Sequence, residues 1–401
     1  MRIAVIGGGA AGFFAAINIK EKFPTYNVTI FEGSQDVMSK LLLTGGGRCN
    51  LTNTFENVKD LKNVYPRGDK LMKRLFKTFD NQGTYSWFTS RGIDLYAQDD
   101  DRVFPSSNDS HTIVDFFLED SQRLGINIAV KHKLIGLIKS EDVFHLTFDS
   151  AKEVTADKVV VTTGGHHYLS SYSYLADLGH EVVSPVPSLF TFNVKDEQLH
   201  LLTGTSVPNV TVGIPSQKMR AEGSLLITHW GFSGPATLRL SSYFARYIHE
   251  KNYKFQISIN WTGESNQTVR DALNHALDSS SNKFLSKIHP YGFSSRLWEY
   301  LLQRSGLPND KRWNELGNKG MNKLTETLTN DIYSVDGKGK WKEEFVTAGG
   351  IALSSINLST LESKNVAGLF FAGEILDIDA ITGGFNLQAA WTTAFTVAKN
   401  I

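Results

Sequence analysis

The chain contains a single cysteine in 401 residues. Cys49 alone can build neither an internal disulfide nor a thiolate zinc cluster, and no second thiol exists to resolve it in a dithiol relay. A surplus of charge is also missing. Lys+Arg and Asp+Glu number 41 each, so no global field draws the protein to nucleic acid or to a membrane. No apolar run reaches the roughly eighteen residues of a spanning helix. Arg2 is the only basic residue of the apolar N-terminus, whose glycines fit a βαβ unit and not a secretory leader; a cytoplasmic location is expected. There is no repeat at a fixed period, no low-complexity segment, and no His or acidic cluster at metal-ligand spacing, so no metal is expected. The length predicts about two or three domains.

What is present begins at once. Ile3-Ala4-Val5-Ile6 is an apolar β-branched run, the pattern of a buried strand. It breaks into Gly7-Gly8-Gly9-Ala10-Ala11-Gly12, a G-x-G-x-x-G. Phe13 to Lys22 then has helical spacing, and Val28 to Phe31 is a second strand ending at Glu32. Gly7 permits the tight turn, Gly9 lets a pyrophosphate approach the backbone, and Gly12 lets the helix pack close to the sheet. The helix start offers unpaired N–H groups and positive dipole to phosphates. Glu32, twenty residues after Gly12, stands where a carboxylate bonds an adenosine ribose. Together these predict a dinucleotide site, and the motif leaves FAD and NAD(P) both open.

Further along, Thr44-Gly45-Gly46-Gly47-Arg48-Cys49-Asn50-Leu51-Thr52-Asn53 is a second polar, glycine-rich loop, of use to a longer cofactor such as FAD. Arg48 can pair with phosphate as a planar fork, and the Asn and Thr side chains can bond ribityl or ring atoms. A plain surface loop is the competing reading. Cys49 reads as a residue chosen for its size. Lys70 to Phe79 is helical, with Lys70, Lys73, Arg74 and Lys77 on one broad face, read as solvated. Arg102-Val103-Phe104-Pro105 ends a loop ahead of a helix near His111 to Leu124. Ile126 to Val130 is a further parallel strand, and residues 133–138 and 143–148 form a small antiparallel excursion. Val159 to Val161 is a buried strand running through Thr162-Thr163 into Gly164-Gly165. His166 and His167 follow it.

Beyond Pro185 and Pro187 short alternating runs predict a small β domain. In it lies Thr228-His229-Trp230-Gly231-Phe232-Ser233-Gly234-Pro235, whose His229 is an acid–base candidate on a polar bend. Residues 266–330 read as helical, Asp336 to Lys340 as a turn, after which the chain re-enters the first domain. Near the end, Gly368 to Phe371 is a buried strand leading to Ala372-Gly373-Glu374. Glu374 can bond the ribityl or phosphate part of a cofactor. Thr382-Gly383-Gly384-Phe385-Asn386 then precedes a last helix, Leu387 to Val397. A helix start aimed at a reduced flavin is worth roughly 0.3–1 kcal/mol at an exposed site and raises its potential.

With these residues in view the chain resembles the BaiN/YhiN-type flavoproteins, which include aminoacetone-oxidase-like proteins. The matching pieces are GGGAAG at 7–12, GGGRCNLTN at 45–53, RVFP at 102–105, TGG at 163–165, THWGFSGPA at 228–236 and FAGEILDIDAITGGFNLQAAW at 371–391. The resemblance implies an α/β fold: a Rossmann-like, two-dinucleotide-type FAD-binding domain (1–188 and 341–401) with an insert that is β-barrel-like over 189–265 and mainly helical over 266–340. It also implies FAD contacts at Gly7, Gly9, Ala10, Ala11, Gly12, Glu32, Arg48, Asn50, Asn53, Thr163, Gly164, Gly373, Glu374, Asn386 and Leu387. One departure concerns the loop after TGG. Many members continue there with a Pro and a Gly-Asp-Gly stretch, whereas His166 to Tyr172 here leads quickly to Leu178-Gly179-His180, a loop that can touch substrate or flavin edge.

The expected function is an FAD-dependent oxidoreductase that transfers hydride at flavin N5 to or from a small molecule entering between FAD domain and insert. Only one G-x-G-x-x-G is visible, so no second nicotinamide domain is evident: either NAD(P)H docks transiently at the flavin face, which the resemblance implies, or another donor reduces the protein. No nucleic-acid or membrane partner is expected. No catalytic base is assigned; His229 and Arg48 are candidates. The alternatives are a flavoprotein that modifies RNA and a flavin-bound redox sensor. Substrate and oligomeric state stay open.

Overall fold

The computed structural model describes residues 1–339 and 346–401, and counts of elements are of these residues. The chain divides into two compact units, Met1–Pro187 with Phe345–Ile401, and Ser188–Glu344. The expected domain boundary at 340/341 lies outside the described residues.

The first unit is built on a parallel sheet. Its strands are β1 (Arg2–Ile6), β2 (Asn27–Phe31), β3 (Asn127–Ala129), β4 (Lys158–Val161) and β5 (Leu369–Phe371), in the spatial order β5-β4-β1-β2-β3. Val5 lies between Ile30 and Val160 in register. Ile3 to Ile6 and Val159 to Val161 are buried, which explains their continuous apolar runs: a parallel sheet covered on both faces leaves no alternation to read. Helix α1 (Ala10–Lys22) follows β1, and the chain ends in helix α3 (Phe385–Asn400); a short helix, α2 (Ser39–Leu43), follows β2. Every residue of α1 from Ala11 to Ile19 is buried, because the sheet, α3 and the helix His111–Leu124 all pack on it. The ring of Phe14 sits 4.4 Å from that of Trp87 and 5.2 Å from that of Trp391. A helix enclosed this way is apolar all round.

Two expectations about local structure change. Arg102–Pro105 is not the end of a loop; it is the central strand of a small sheet between Thr52–Asn53 and Leu95–Ala97. This strand ties the second glycine-rich loop to the fold. The helix expected over Lys70 to Phe79 is Asp69–Leu75, so Lys77 falls in the turn beyond it. Lys70, Lys73, Arg74 and Lys77 are all exposed. Residues 133–148 do form the antiparallel excursion, with Glu153–Ala156 as its third strand.

The second unit contains a closed six-stranded barrel, in the order Phe192–Val194, Gly231–Ser233, Arg220–Thr228, Ser206–Gly213, Lys254–Asn260, Asp331–Lys338. Its first and last strands pair, Phe192 with Lys338, and so leave no free edge. Helices Asn266–Ser280, Ser295–Arg304 and Gly317–Asn330 share the barrel's core through Trp261, Trp298, Trp313 and Leu324. Residues 266–330 are mainly helical as expected, but 331–338 form a strand that closes the barrel, in place of the turn expected from Asp336. The alternation of buried Asp331, Tyr333 and Val335 with exposed Ile332 and Ser334 is a strand signature. Asp331 also anchors the helices, taking Arg304 Nε at 3.0 Å and Trp261 Nε1 at 3.1 Å.

Candidate functional site

The glycine turn sits at the C-terminal end of β1. Gly7 N–H donates to Phe31 O (2.8 Å), which holds the turn against β2. Helix α1 is capped by Gly9 with no side-chain bond, and its first turn carries no acid. Its leading N–H groups have no partner within the helix. Gly9 is extended (φ −93°), and a Cβ built on it meets no atom within 4 Å. The fold would accept a side chain there, so the bare backbone keeps space for something else. Gly12 differs: a Cβ on it would lie 2.0 Å from Gly7 O. Glu32, half-buried at the end of β2, accepts from Gly8 N–H (2.8 Å) and from Ser34 N–H and Oγ (2.8 Å each). It clasps the glycine turn and keeps lone pairs for a further donor.

The ends of β4 and β5 form the other wall of this turn. Gly7 stands close enough to Thr162 that a Cβ on it would clash with Thr162 O. The carboxylate of Glu374 accepts Thr347 N–H at 2.8 Å and Lys40 Nζ at 3.0 Å. A Cβ on Gly165 would meet that carboxylate at 3.0 Å, and one on Gly164 at 3.6 Å, so Glu374 lies across the glycine pair. Gly373, at φ +78°, brings this strand end against Ala11 of α1. Thr163 Oγ1 shares a 3.1 Å hydrogen bond with His166 Nε2, and His166 N–H donates to the Tyr172 hydroxyl. Burial, with Lys40 adding to it, holds the His166 imidazole below its usual pKa. His167 is exposed.

The second glycine-rich loop is stitched to the start of α3. The Asn50 side-chain oxygen accepts Gly384 N–H (2.9 Å) while its nitrogen donates to Thr52 O. Asn53 Nδ2 donates to Gly383 O (3.0 Å) and its Oδ1 accepts Phe55 N–H. Asn386 bonds Ala380 twice, accepting its N–H and donating to its carbonyl. Trp391 Nε1 donates to Leu51 O. Gly384, the N-cap of α3 at φ +89°, lies so close that a Cβ would be 2.2 Å from Thr52 O. Arg48 is turned back onto its own loop, Nε to Gly45 O at 3.1 Å, with its guanidinium over the Phe104 ring. Cys49 is fully buried, and burial pushes its thiol up to about 12. Leu387 is half-buried in the first turn of α3.

The expected residues thus gather in two groups. Gly7, Gly9, Ala10, Ala11, Gly12, Glu32, Thr163, Gly164, Gly373 and Glu374 surround the glycine turn. Arg48, Asn50, Asn53, Asn386 and Leu387 belong to the loop and the start of α3, where the asparagine amides bond protein backbone. His229 belongs to neither; it is exposed in a hairpin turn of the second unit, its ring 4.7 Å from that of Trp230.

Several participants escaped the sequence reading. Thr347 acts through its backbone N–H, which leaves no trace in residue type. Lys40 stood in plain view just ahead of the loop. Arg67 clamps Asp379 with two of its guanidinium nitrogens, Nε and Nη2, and Asp379 is fully buried. An acid inside the apolar run ILDIDAI was its readable signal, since such a group is almost never buried without a partner.

The family described as "HI0933-like protein Rossmann domain" matches residues 1–400. A 3-dehydro-bile acid delta(4,6)-reductase of Clostridium scindens is 27% identical over 99% of this chain and 98% of its own. A ribosomal RNA dihydrouridine synthase of Escherichia coli is 26% identical over 99% of this chain and 97% of its own. Among solved structures, a 3-ketosteroid delta1-dehydrogenase of Sterolibacterium denitrificans superposes with a TM-score of 0.51 at 10% identity, covering 99% and 98% of the two chains, which is a likeness of fold.

Proposed function

The chain belongs to the HI0933-like Rossmann-domain family of FAD-dependent oxidoreductases, and on that premise we propose that it reduces a carbon–carbon double bond conjugated to a carbonyl in a small molecule, with NAD(P)H as the source of electrons. The observation that carries the cofactor assignment is the open cradle at Gly9, set at an uncapped helix start between Glu32 and the Thr163-Gly164 turn. Bound there, FAD would supply two-electron hydride chemistry at its N5 atom.

The chain's own residues do the rest. Gly7 to Gly12 and the start of α1 would receive the diphosphate, Glu32 the adenosine ribose, and Glu374 the ribityl or phosphate region. Asn50, Asn53 and Asn386 hold the loop and the start of α3 in one arrangement, so that their backbones present a preformed surface to the ring. The C=C reduction is favoured by the names of the two relatives, since a delta(4,6)-reductase and a dihydrouridine synthase both denote saturation of a carbon–carbon double bond.

The test is an anaerobic titration of the purified protein with NADH and then NADPH, watching the oxidised-flavin band. Bleaching by one of them, reversed by an α,β-unsaturated ketone, is the expected result. A flavin band that neither nicotinamide bleaches sinks the reductant assignment. A second reading, reduction of a base in RNA, is favoured by the E. coli relative's name and by the charge of residues 188–339, which carry 17 Lys and Arg against 13 Asp and Glu in a chain that is neutral overall. Salt-dependent RNA binding would select it.

A further inference from the structure

A diphosphate brings two negative charges to a turn already flanked by two carboxylates, Glu32 and Glu374. The start of α1 supplies only about half an elementary positive charge. A cation nearby would offset part of the remaining charge. Arg48 does not serve, being turned onto Gly45 O and Phe104. Lys40 does. Its chain is pinned to the glycine turn two residues earlier, where Met38 N–H donates to Gly8 O at 2.8 Å. Its ammonium reaches Glu374 at 3.0 Å, and its side chain remains 59% exposed. An ammonium carries three donors, so the bond to Glu374 leaves two for an anion beside Gly8 and Gly9.

We propose that Lys40 binds the diphosphate of the dinucleotide, and that Glu374 acts in part by aiming it. This rests on the FAD assignment above. The competing account is an ordinary surface ion pair, of little worth to the fold and of none to the ligand.

Calorimetric titration of the flavin-free protein with FAD, ADP and adenosine separates the two. Lys40→Ala is expected to weaken FAD and ADP about tenfold, the scale of one charge-assisted hydrogen bond, and to leave adenosine unchanged. Lys40→Arg should recover most of that loss, and FAD affinity in Lys40→Ala should depend less steeply on salt. FAD and ADP affinities within twofold of wild type would overturn the proposal. So would an equal loss for ADP and adenosine, which would mean that Lys40 acts on the fold. Failure of the wild-type chain to bind FAD while ADP still distinguishes Lys40 from Ala would sink the flavin assignment and leave the diphosphate contact standing.

Discussion

Gly9 and Gly12 belong to one motif but answer to different constraints. A side chain at Gly9 finds empty space and an extended backbone, so Gly9→Val should fold with a melting temperature close to wild type and purify without flavin. Full flavin content in that variant would remove the cradle from the site. A side chain at Gly12 collides with Gly7 O, so Gly12→Ala should be destabilised before any ligand is considered. His166 and His180 have imidazoles held below the ordinary 6.5 by burial. Below that pH the unfolded chain takes up protons that the folded one refuses. Their contribution to stability is therefore present above pH 6.5 and lost as pH falls towards 5. Denaturant melts at pH 7 and pH 5 should show that loss, and His166→Asn should reduce it; an equal loss in the variant would exclude His166 as a source. Cys49, neutral and enclosed, should resist thiol reagents at pH 8 until the protein is unfolded.

At the scale of elements, the start of α3 is tied to the rest of the first unit by several side chains. Asn50, Asn53 and Trp391 bind it to the second glycine loop, while the Tyr65 hydroxyl donates to Phe385 O at 2.8 Å. The Arg67–Asp379 pair lies just ahead of it. Removing the guanidinium leaves a fully buried carboxylate without its main partner, so Arg67→Ala should cost roughly 3–5 kcal/mol in urea unfolding. Asp379→Asn should cost less, because it removes the charge that needs the partner. A loss below about 1 kcal/mol in Arg67→Ala would show that the pair is effectively solvated. RVFP shows why elements can deceive in a sequence. Four residues ending in a Pro resemble a loop end, and only pairing with Thr52–Asn53 on one side and Leu95–Ala97 on the other makes them a strand.

For the whole molecule, every residue assigned to the cofactor falls in the first unit, within residues 1–187 or 346–401. The chain leaves that unit from strand Val182–Ser188 and returns on strand Val346–Ile351, which pair with each other. Replacing residues 188–344 by a short Gly-Ser linker should therefore preserve flavin binding within about tenfold, read by calorimetric titration. A folded core that takes up no FAD would mean that the barrel unit contributes to the cofactor site. Residues 188–339 alone, with a closed barrel and a core of their own, should unfold cooperatively on heating.

Much of this protein could be read from residue order, because some signals are local. A strand, a glycine turn, a helix and an acid within thirty-two residues form one unit, and neighbours along the chain do most of its work. The parallel strands were legible from continuous apolar runs, and the insert from a change of pattern after Pro187. Contacts between distant residues were not legible. Nothing local says that Lys40 meets Glu374, that Arg67 meets Asp379, or that Asn50 and Asn53 spend their amides on Gly384 and Gly383. An asparagine beside a glycine loop has the same appearance whether it faces a ligand or a backbone carbonyl more than three hundred residues away. Packing makes that choice, since a buried polar group must be matched by whatever partner the fold brings to it.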